Sequence, residues 1–309
     1  MNTKTKHIIV ASPRGFCAGV VRAIETVENT LNKYGAPVYV LHEIVHNKHV
    51  IAHLEKRGAV FVKGLRDIPE GNICIFSAHG VATAVEEEAA KYGLRTIDAT
   101  CPLVSSIHRI VESYSRKNYD IIIIGHHNHP EVVGTAGRVS TKVHIVATVN
   151  EAEKLILDRP DQCAYVTQTT LSQDDIVQIR NVLIRRFPQI QSSKSNTCYA
   201  TQNRQEAVKR LAQEVEVILV VGSKNSSNSN RLKEVAVESG TQSYLIDDCS
   251  DIDRQWLEDV STIGITAGAS APENLVTGVI EWISARWPTT HRELEGEEKK
   301  IYFKPADIR

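Results

Sequence analysis

The feature that most constrains how this chain folds is one local arrangement that occurs three times. An apolar run leads to a cysteine, and a helical apolar pattern follows it. The first copy runs from Ile8-Ile9-Val10-Ala11 to Cys17, then Val20, Ile24 and Val27. The second is Asp98-Ala99-Thr100-Cys101-Pro102-Leu103, then Val104, Ile107, Ile110 and Val111. The third is Ser195-Asn196-Thr197-Cys198-Tyr199, then Ala207, Val208 and Leu211. The distance from cysteine to the next polar loop repeats as well: Cys17 to His46 is 29 residues, and Cys101 to His129 and Cys198 to Ser226 are 28 each. Self-similarity at this period marks repeated structural units. Strand runs that are continuously apolar and alternate with helical patterns predict parallel sheets covered on both faces. The fold class is therefore α/β, with three similar units: residues 1–98 carrying Cys17, 99–194 carrying Cys101 and 195–287 carrying Cys198, then a charged tail over 288–309 in which Ile301-Tyr302-Phe303 is read as an edge strand.

In parallel α/β sheets ligands gather at the carboxyl ends of strands, where helix N-termini point. The polar clusters of this chain fall at those ends. Cys17, Cys101 and Cys198 each stand before a helix, where the macrodipole favours thiolate. Three such thiolates suit a soft metal or an iron–sulfur cluster, and a set of three leaves a coordination position open where a structural zinc is closed by four. Cys74, Cys163 and Cys249 lack that placement and are read as structural. His46, His79 and His129 lie at strand ends and can donate hydrogen bonds to phosphate oxygens. His126-His127-Asn128-His129 also has the look of a metal-binding tract, ranked lower because no zinc spacing accompanies it. Glu131 is the one carboxylate beside this cluster and a candidate proton donor.

Ser223 to Asn230 sits between the run Val217–Val221 and a helix at Leu232–Val235, so it is read as an anion-binding loop rather than a linker. Ala267-Gly268-Ala269-Ser270 holds the same position one strand later. Neither a Walker loop nor G-x-G-x-x-G is present, so the ligand expected is a phosphate-bearing small molecule and not a nucleotide. A net charge of −1 gives no reason to expect nucleic acid or an anionic membrane as partner. No apolar run approaches a membrane span, and the N-terminus lacks the apolar core of a secretory signal. Six scattered cysteines in 309 residues fit a reducing cytoplasm. A cluster-dependent hydro-lyase and a zinc-stabilised binding protein both remain compatible with these patterns.

A set of longer motifs narrows the choice. Pro13-Arg14-Gly15-Phe16-Cys17-Ala18-Gly19, His42-Glu43-Ile44-Val45-His46-Asn47, Ser77-Ala78-His79-Gly80 and Asp98-Ala99-Thr100-Cys101-Pro102-Leu103 are four of them. Gly125-His126-His127-Asn128-His129-Pro130-Glu131, Thr167-Gln168-Thr169-Thr170-Leu171-Ser172, Asn203-Arg204-Gln205-Glu206-Ala207 and Val221 through Arg231 are the others. From about residue 8 to 285 the chain resembles the IspH/LytB family of 4-hydroxy-3-methylbut-2-enyl diphosphate reductases. The resemblance implies three α/β units around a central [4Fe–4S] cluster held by Cys17, Cys101 and Cys198, with one open iron for the substrate hydroxyl. It implies a diphosphate site at His46, His79, Ser226, Asn228 and Ser270, with Ser227 and Thr170 alongside. It implies Glu131 as proton source with Thr169, positioned by the His129 region. It further implies a flavodoxin- or ferredoxin-type electron donor and, as products, the two five-carbon isoprenoid diphosphates of the non-mevalonate pathway.

Overall fold

The computed structural model describes residues 4–192, 198–296 and 301–308. The strands are β1 (Lys6–Val10), β2 (Val38–Leu41), β3 (Ala59–Val62), β4 (Ile73–Phe76), β5 (Arg95–Asp98), β6 (Asp120–Ile124), β7 (Val143–Val146), β8 (Cys163–Thr167), β9 (Gln191–Ser192), β10 (Val217–Val221), β11 (Gln242–Ile246), β12 (Thr262–Ala267) and β13 (Thr289–Glu293). The helices are α1 (Ala18–Tyr34), α2 (Lys48–Lys56), α3 (Thr83–Lys91), α4 (Pro102–Arg116), α5 (Pro130–Ala136), α6 (Val149–Lys154), α7 (Gln173–Arg186), α8 (Tyr199–Ala212), α9 (Ser227–Glu238), α10 (Gln255–Glu258) and α11 (Glu273–Ser284). They form three sheets, ordered β11-β10-β12-β1-β13, β3-β2-β4-β5 and β7-β6-β8-β9. Every pairing among the described strands is parallel.

The chain divides into two compact units. One takes the described residues of Met1–Ala18, His46–Val50 and Tyr199–Ile301 and holds the five-stranded sheet; the other takes Gly19–Val45, Ile51–Cys198 and Tyr302–Arg309 and holds both four-stranded sheets. In the five-stranded unit the two-residue strand period feeds two cores at once. Ile8, Val10, Val217, Leu219, Ile263 and Ile265 enter one, while Ile9, Ile218 and Val220 enter the other with α8 and α9. The same alternation splits β6: Ile122 and Ile124 face the core shared with α6 and α7, and Ile121 and Ile123 face that of α4. This is why the strands read as unbroken apolar runs.

The structure differs from the reading by sequence order in two places. Strand β1, placed there in the first unit, joins the sheet of the last third: His7 is opposite Thr262 and Ile8 opposite Ile263. A strand apolar on both faces needs two covering layers, and its pattern does not say whose layers they are. The tail strand is β13, alongside β1 with Lys6 opposite Thr289, and 301–308 form no strand. Thr289–Glu293 is polar and mostly exposed at a sheet edge, so it carries no period-two signal. The 301–308 segment instead lies along α1, where Ala306 N donates to Thr26 Oγ1 (3.0 Å) and Tyr34 Oη to the Ile308 carbonyl (2.9 Å). The expected boundary at 194/195 and the lead-in Ser195-Asn196-Thr197 lie outside the described residues.

Candidate functional site

In the two-sheet unit, the chain leaving β4 turns through Ser77-Ala78-His79-Gly80, and Cys101 N donates to the Ala78 carbonyl at 3.0 Å. Cys101 is the N-cap of α4, and Pro102 supplies a first helical residue that needs no amide partner. After β6, His129 is the N-cap of α5, and its Nδ1 accepts from Glu131 N at 3.2 Å. Accepting at Nδ1 leaves Nε2 to carry the proton of the neutral ring, so His129 presents a donor. The His79 and His129 rings meet edge to face with centroids 5.7 Å apart, and Ser77 Oγ lies 3.3 Å from His79 Nδ1.

Glu131 is 3% exposed. Thr169 N donates to Glu131 Oε1 and Thr169 Oγ1 to Oε2, both at 2.7 Å. Burial pushes the carboxyl up to about 7, against the pull of those two hydrogen bonds. The result is a carboxyl that keeps a substantial protonated fraction near neutrality and titrates there, which is the condition for a general acid. Thr170 is placed through its neighbour: Gln168 Nε2 donates to Thr170 Oγ1 (2.7 Å), and Gln168 Oε1 accepts from His126 N (3.0 Å). The adjoining Gly125 is required, because a Cβ there would lie 2.6 Å from Val132.

In the five-stranded unit, Ser226 caps α9, accepting from Ser229 N (3.3 Å) and Ser229 Oγ (3.1 Å). Ser227 and Asn228 therefore open the helix, five residues earlier than the expected Leu232, because Ser and Asn read as loop unless a cap is recognised. Asn228 is 5% exposed, and neither end of its amide has a hydrogen-bond partner; Ser223 Oγ and Thr266 Oγ1 are unpartnered likewise. Buried polar atoms left open at a helix N-terminus fit an anionic ligand. Ser270 Oγ donates to the His46 carbonyl at 2.9 Å, and in the α2 start that follows, Lys48 Nζ lies 3.2 Å from Asp247. A Cβ on Gly222 or Gly268 would fall 2.2 or 2.1 Å from Ser229 Oγ. Gly268→Ala is expected to destabilise the protein by about 1–3 kcal/mol through overpacking, read as a lowered denaturant midpoint at constant slope.

Cys17 also belongs to this unit. Its N–H donates to the Ala269 carbonyl (3.2 Å) and that of Gly15 to Ala267 (3.1 Å), which seats the turn against the end of β12. Arg204, fully buried in α8, donates to the carbonyls of Gly15 (3.0 Å) and Phe16 (3.3 Å). Sequence reasoning gave Arg204 no role; the available signal was a cation on the apolar stripe Ala200, Ala207, Leu211. Cys17, Cys101 and Cys198 are half-buried, each directly before a helix, and none is in a disulfide. Cys74 and Cys163 are buried strand residues whose thiols burial pushes up to about 12 and 11. The donor chemistry of the first three fits a thiolate-bound cluster, and that of the other two does not. Cys17 is in one unit and Cys101 and Cys198 in the other, and among the described residues no three His, Cys, Asp or Glu side chains form a ready metal site.

A model of the LytB protein family matches residues 8–284. The chain is 58% identical over 305 residues to the 4-hydroxy-3-methylbut-2-enyl diphosphate reductase of Desulfotalea psychrophila, covering 99% of this chain and 97% of that one. It is 50% identical to the enzyme of the same name from Acidothermus cellulolyticus, covering 98% and 90%. Among solved structures it is similar to the E-1-hydroxy-2-methyl-but-2-enyl-4-diphosphate reductase of Plasmodium falciparum, with a TM-score of 0.92, 40% identity and coverage of 97% and 96%. A second, described as the terminal enzyme of the non-mevalonate pathway, gives a TM-score of 0.64 at 33% identity, covering 91% and 100%.

Proposed function

The chain belongs to the LytB protein family, and we propose that it reductively removes the 4-hydroxyl of 4-hydroxy-3-methylbut-2-enyl diphosphate. The products are isopentenyl and dimethylallyl diphosphates, at the last step of the non-mevalonate isoprenoid pathway. Two electrons and two protons enter; one proton leaves with the hydroxyl as water, and the other ends on an allylic carbon. The observation that carries the reading is the buried Glu131 carboxyl, gripped at both oxygens by Thr169 beside the His79–His129 ring pair.

Glu131, held protonated by burial, delivers a proton to the departing oxygen, so hydroxide is not expelled into a water-poor site. Thr169 aims that carboxyl, and His129 fixes the first turn of its helix while presenting Nε2–H. The diphosphate is assigned to His46, His79, Thr170, Ser226, Ser227, Asn228 and Ser270. The open Asn228 amide, buried in the first turn of α9, supports the anion half of that set. Cys17, Cys101 and Cys198 are assigned to a [4Fe–4S] cluster with one open iron; when bound it supplies single electrons and a Lewis-acid position for the hydroxyl. The electron donor assigned is of flavodoxin or ferredoxin type. No helix among the described residues is long and apolar enough to cross a membrane, and the proposed setting is a reducing cytoplasm.

Anaerobically purified protein tests the reading: several irons with matching acid-labile sulfide, and dithionite-driven conversion of the diphosphate, are expected. One zinc without sulfide overturns it. A pH profile adds a sharper check. Turnover should fall as pH rises through about 7, where Glu131 loses its proton. Because the folded carboxyl titrates above its unfolded value, its contribution to stability is present below about 4.5 and lost as pH rises to about 7. A rate that keeps rising above pH 8 would contradict the acid role.

A further inference from the structure

Two turns down α4 from Cys101, His108 lies 7% exposed, and its Nε2 has no hydrogen-bond partner. The ring faces a polar cavity of about 160 Å³, lined also by Val81, Glu86, Thr100, Glu112 and Arg138. Arg138 is held there by Glu86 (2.8 Å) and Glu112 (3.0 Å). With no protein hydrogen bond at Nε2, packing fixes the ring. That packing is against Gly80, the residue after His79: a Cβ on Gly80 would sit 2.6 Å from His108 Cε1 and 3.1 Å from Thr100 Cγ2. Gly80 has φ +75°, and its amide closes the turn onto the Ser77 carbonyl at 3.1 Å. From the other side Gly134 of α5 approaches so closely that a Cβ there would lie 2.9 Å from the Gly80 carbonyl oxygen. The His79–Gly80 turn is therefore clamped between α4, whose N-cap is Cys101, and α5, whose N-cap is His129 and which carries Glu131.

We propose that His108 is a positioning residue for the reaction, its ring serving as the wedge that holds the His79–Gly80 turn, and so the His79 imidazole, in register with His129. This rests on the assignment of His79 to the diphosphate. Burial lowers the His108 imidazole to about 4, so the wedge is neutral at working pH and adds no charge to the substrate's anionic end. Its influence is steric: it sets where His79 stands and donates nothing itself. Misplacing a binding group by about 1 Å is enough to cost tenfold or more.

The test is a double-mutant cycle on cluster-loaded protein, with KM for the allylic diphosphate, kcat, iron content and melting temperature measured for His79→Ala, His108→Ala, His108→Phe and the His79→Ala/His108→Ala pair. His108→Ala should raise KM about tenfold with kcat within about threefold and iron unchanged. The pair should be no worse than His79→Ala alone, because one residue acts through the other. His108→Phe keeps a flat ring against Gly80, so it should return KM to within about threefold of the native value, and it carries the test if the alanine variant does not fold. A native KM in His108→Ala, a fully additive pair, or His108→Phe with the alanine variant's KM would each overturn the inference. A native KM in His79→Ala would instead remove the premise, the diphosphate role of His79.

Discussion

Glu131→Gln is expected to lower turnover by about 10²- to 10⁴-fold, the range that a positioned proton donor contributes. Glutamine preserves the shape of the side chain and an oxygen for Thr169 N, now 2.7 Å from Glu131 Oε1, so the first turn of α5 and the Thr169 contact survive. What it loses is the proton. The allylic diphosphate should bind within a few-fold of native, and iron content should not change, because Glu131 is assigned to neither group. The fall in rate above pH 7 should vanish with it, since burial had set that limb through Glu131. Single-turnover reduction by dithionite, beside a binding titration under the same anaerobic conditions, separates chemistry from affinity. Near-native turnover in this variant would remove Glu131 from the mechanism.

Replacing any one of Cys17, Cys101 and Cys198 with serine should strip iron as well as activity. A hydroxyl is a far poorer soft-metal ligand than a thiolate, and the loss in iron affinity should exceed the 10- to 100-fold typical of a lost outer partner. The visible absorbance of the anaerobic protein should fall with it. Cys74→Ser is the control. Cys74 is fully buried within β4, and its thiol is pushed up to about 12, so it has no thiolate to offer. Iron should be retained there even if stability drops. Full iron retention in Cys198→Ser would count against its place among the ligands, and iron loss in Cys74→Ser would show that the readout tracks folding instead.

Much of the site was legible because each of its residues signals locally. A cysteine before a helical pattern, Pro102 behind Cys101, and Pro130-Glu131 opening α5 are features of adjacent residues, and the helices start at these places. The Ser226 and Asn228 loop was legible as polar groups at a helix start, although the N-cap geometry moved that start forward to Ser227. Arg204 and His108 were not legible. Each is a polar side chain set among apolar residues of a helix, and its purpose appears only with what packs on it: the Gly15 and Phe16 carbonyls in one case, Gly80 in the other.

By itself the sequence determined the α/β class, the parallel sheets and the helix starts directly after Cys17, Cys101 and Cys198, because strand and helix periods and helix starts are written within windows of a few residues. Only the tertiary structure decided that β1 and Thr289–Glu293 complete the sheet of the last third, that Glu131 is buried deeply enough to titrate near 7, and that His108 backs the His79–Gly80 turn. Sheet membership, desolvation and close packing depend on residues distant in the chain, and no local pattern encodes which distant partner will arrive.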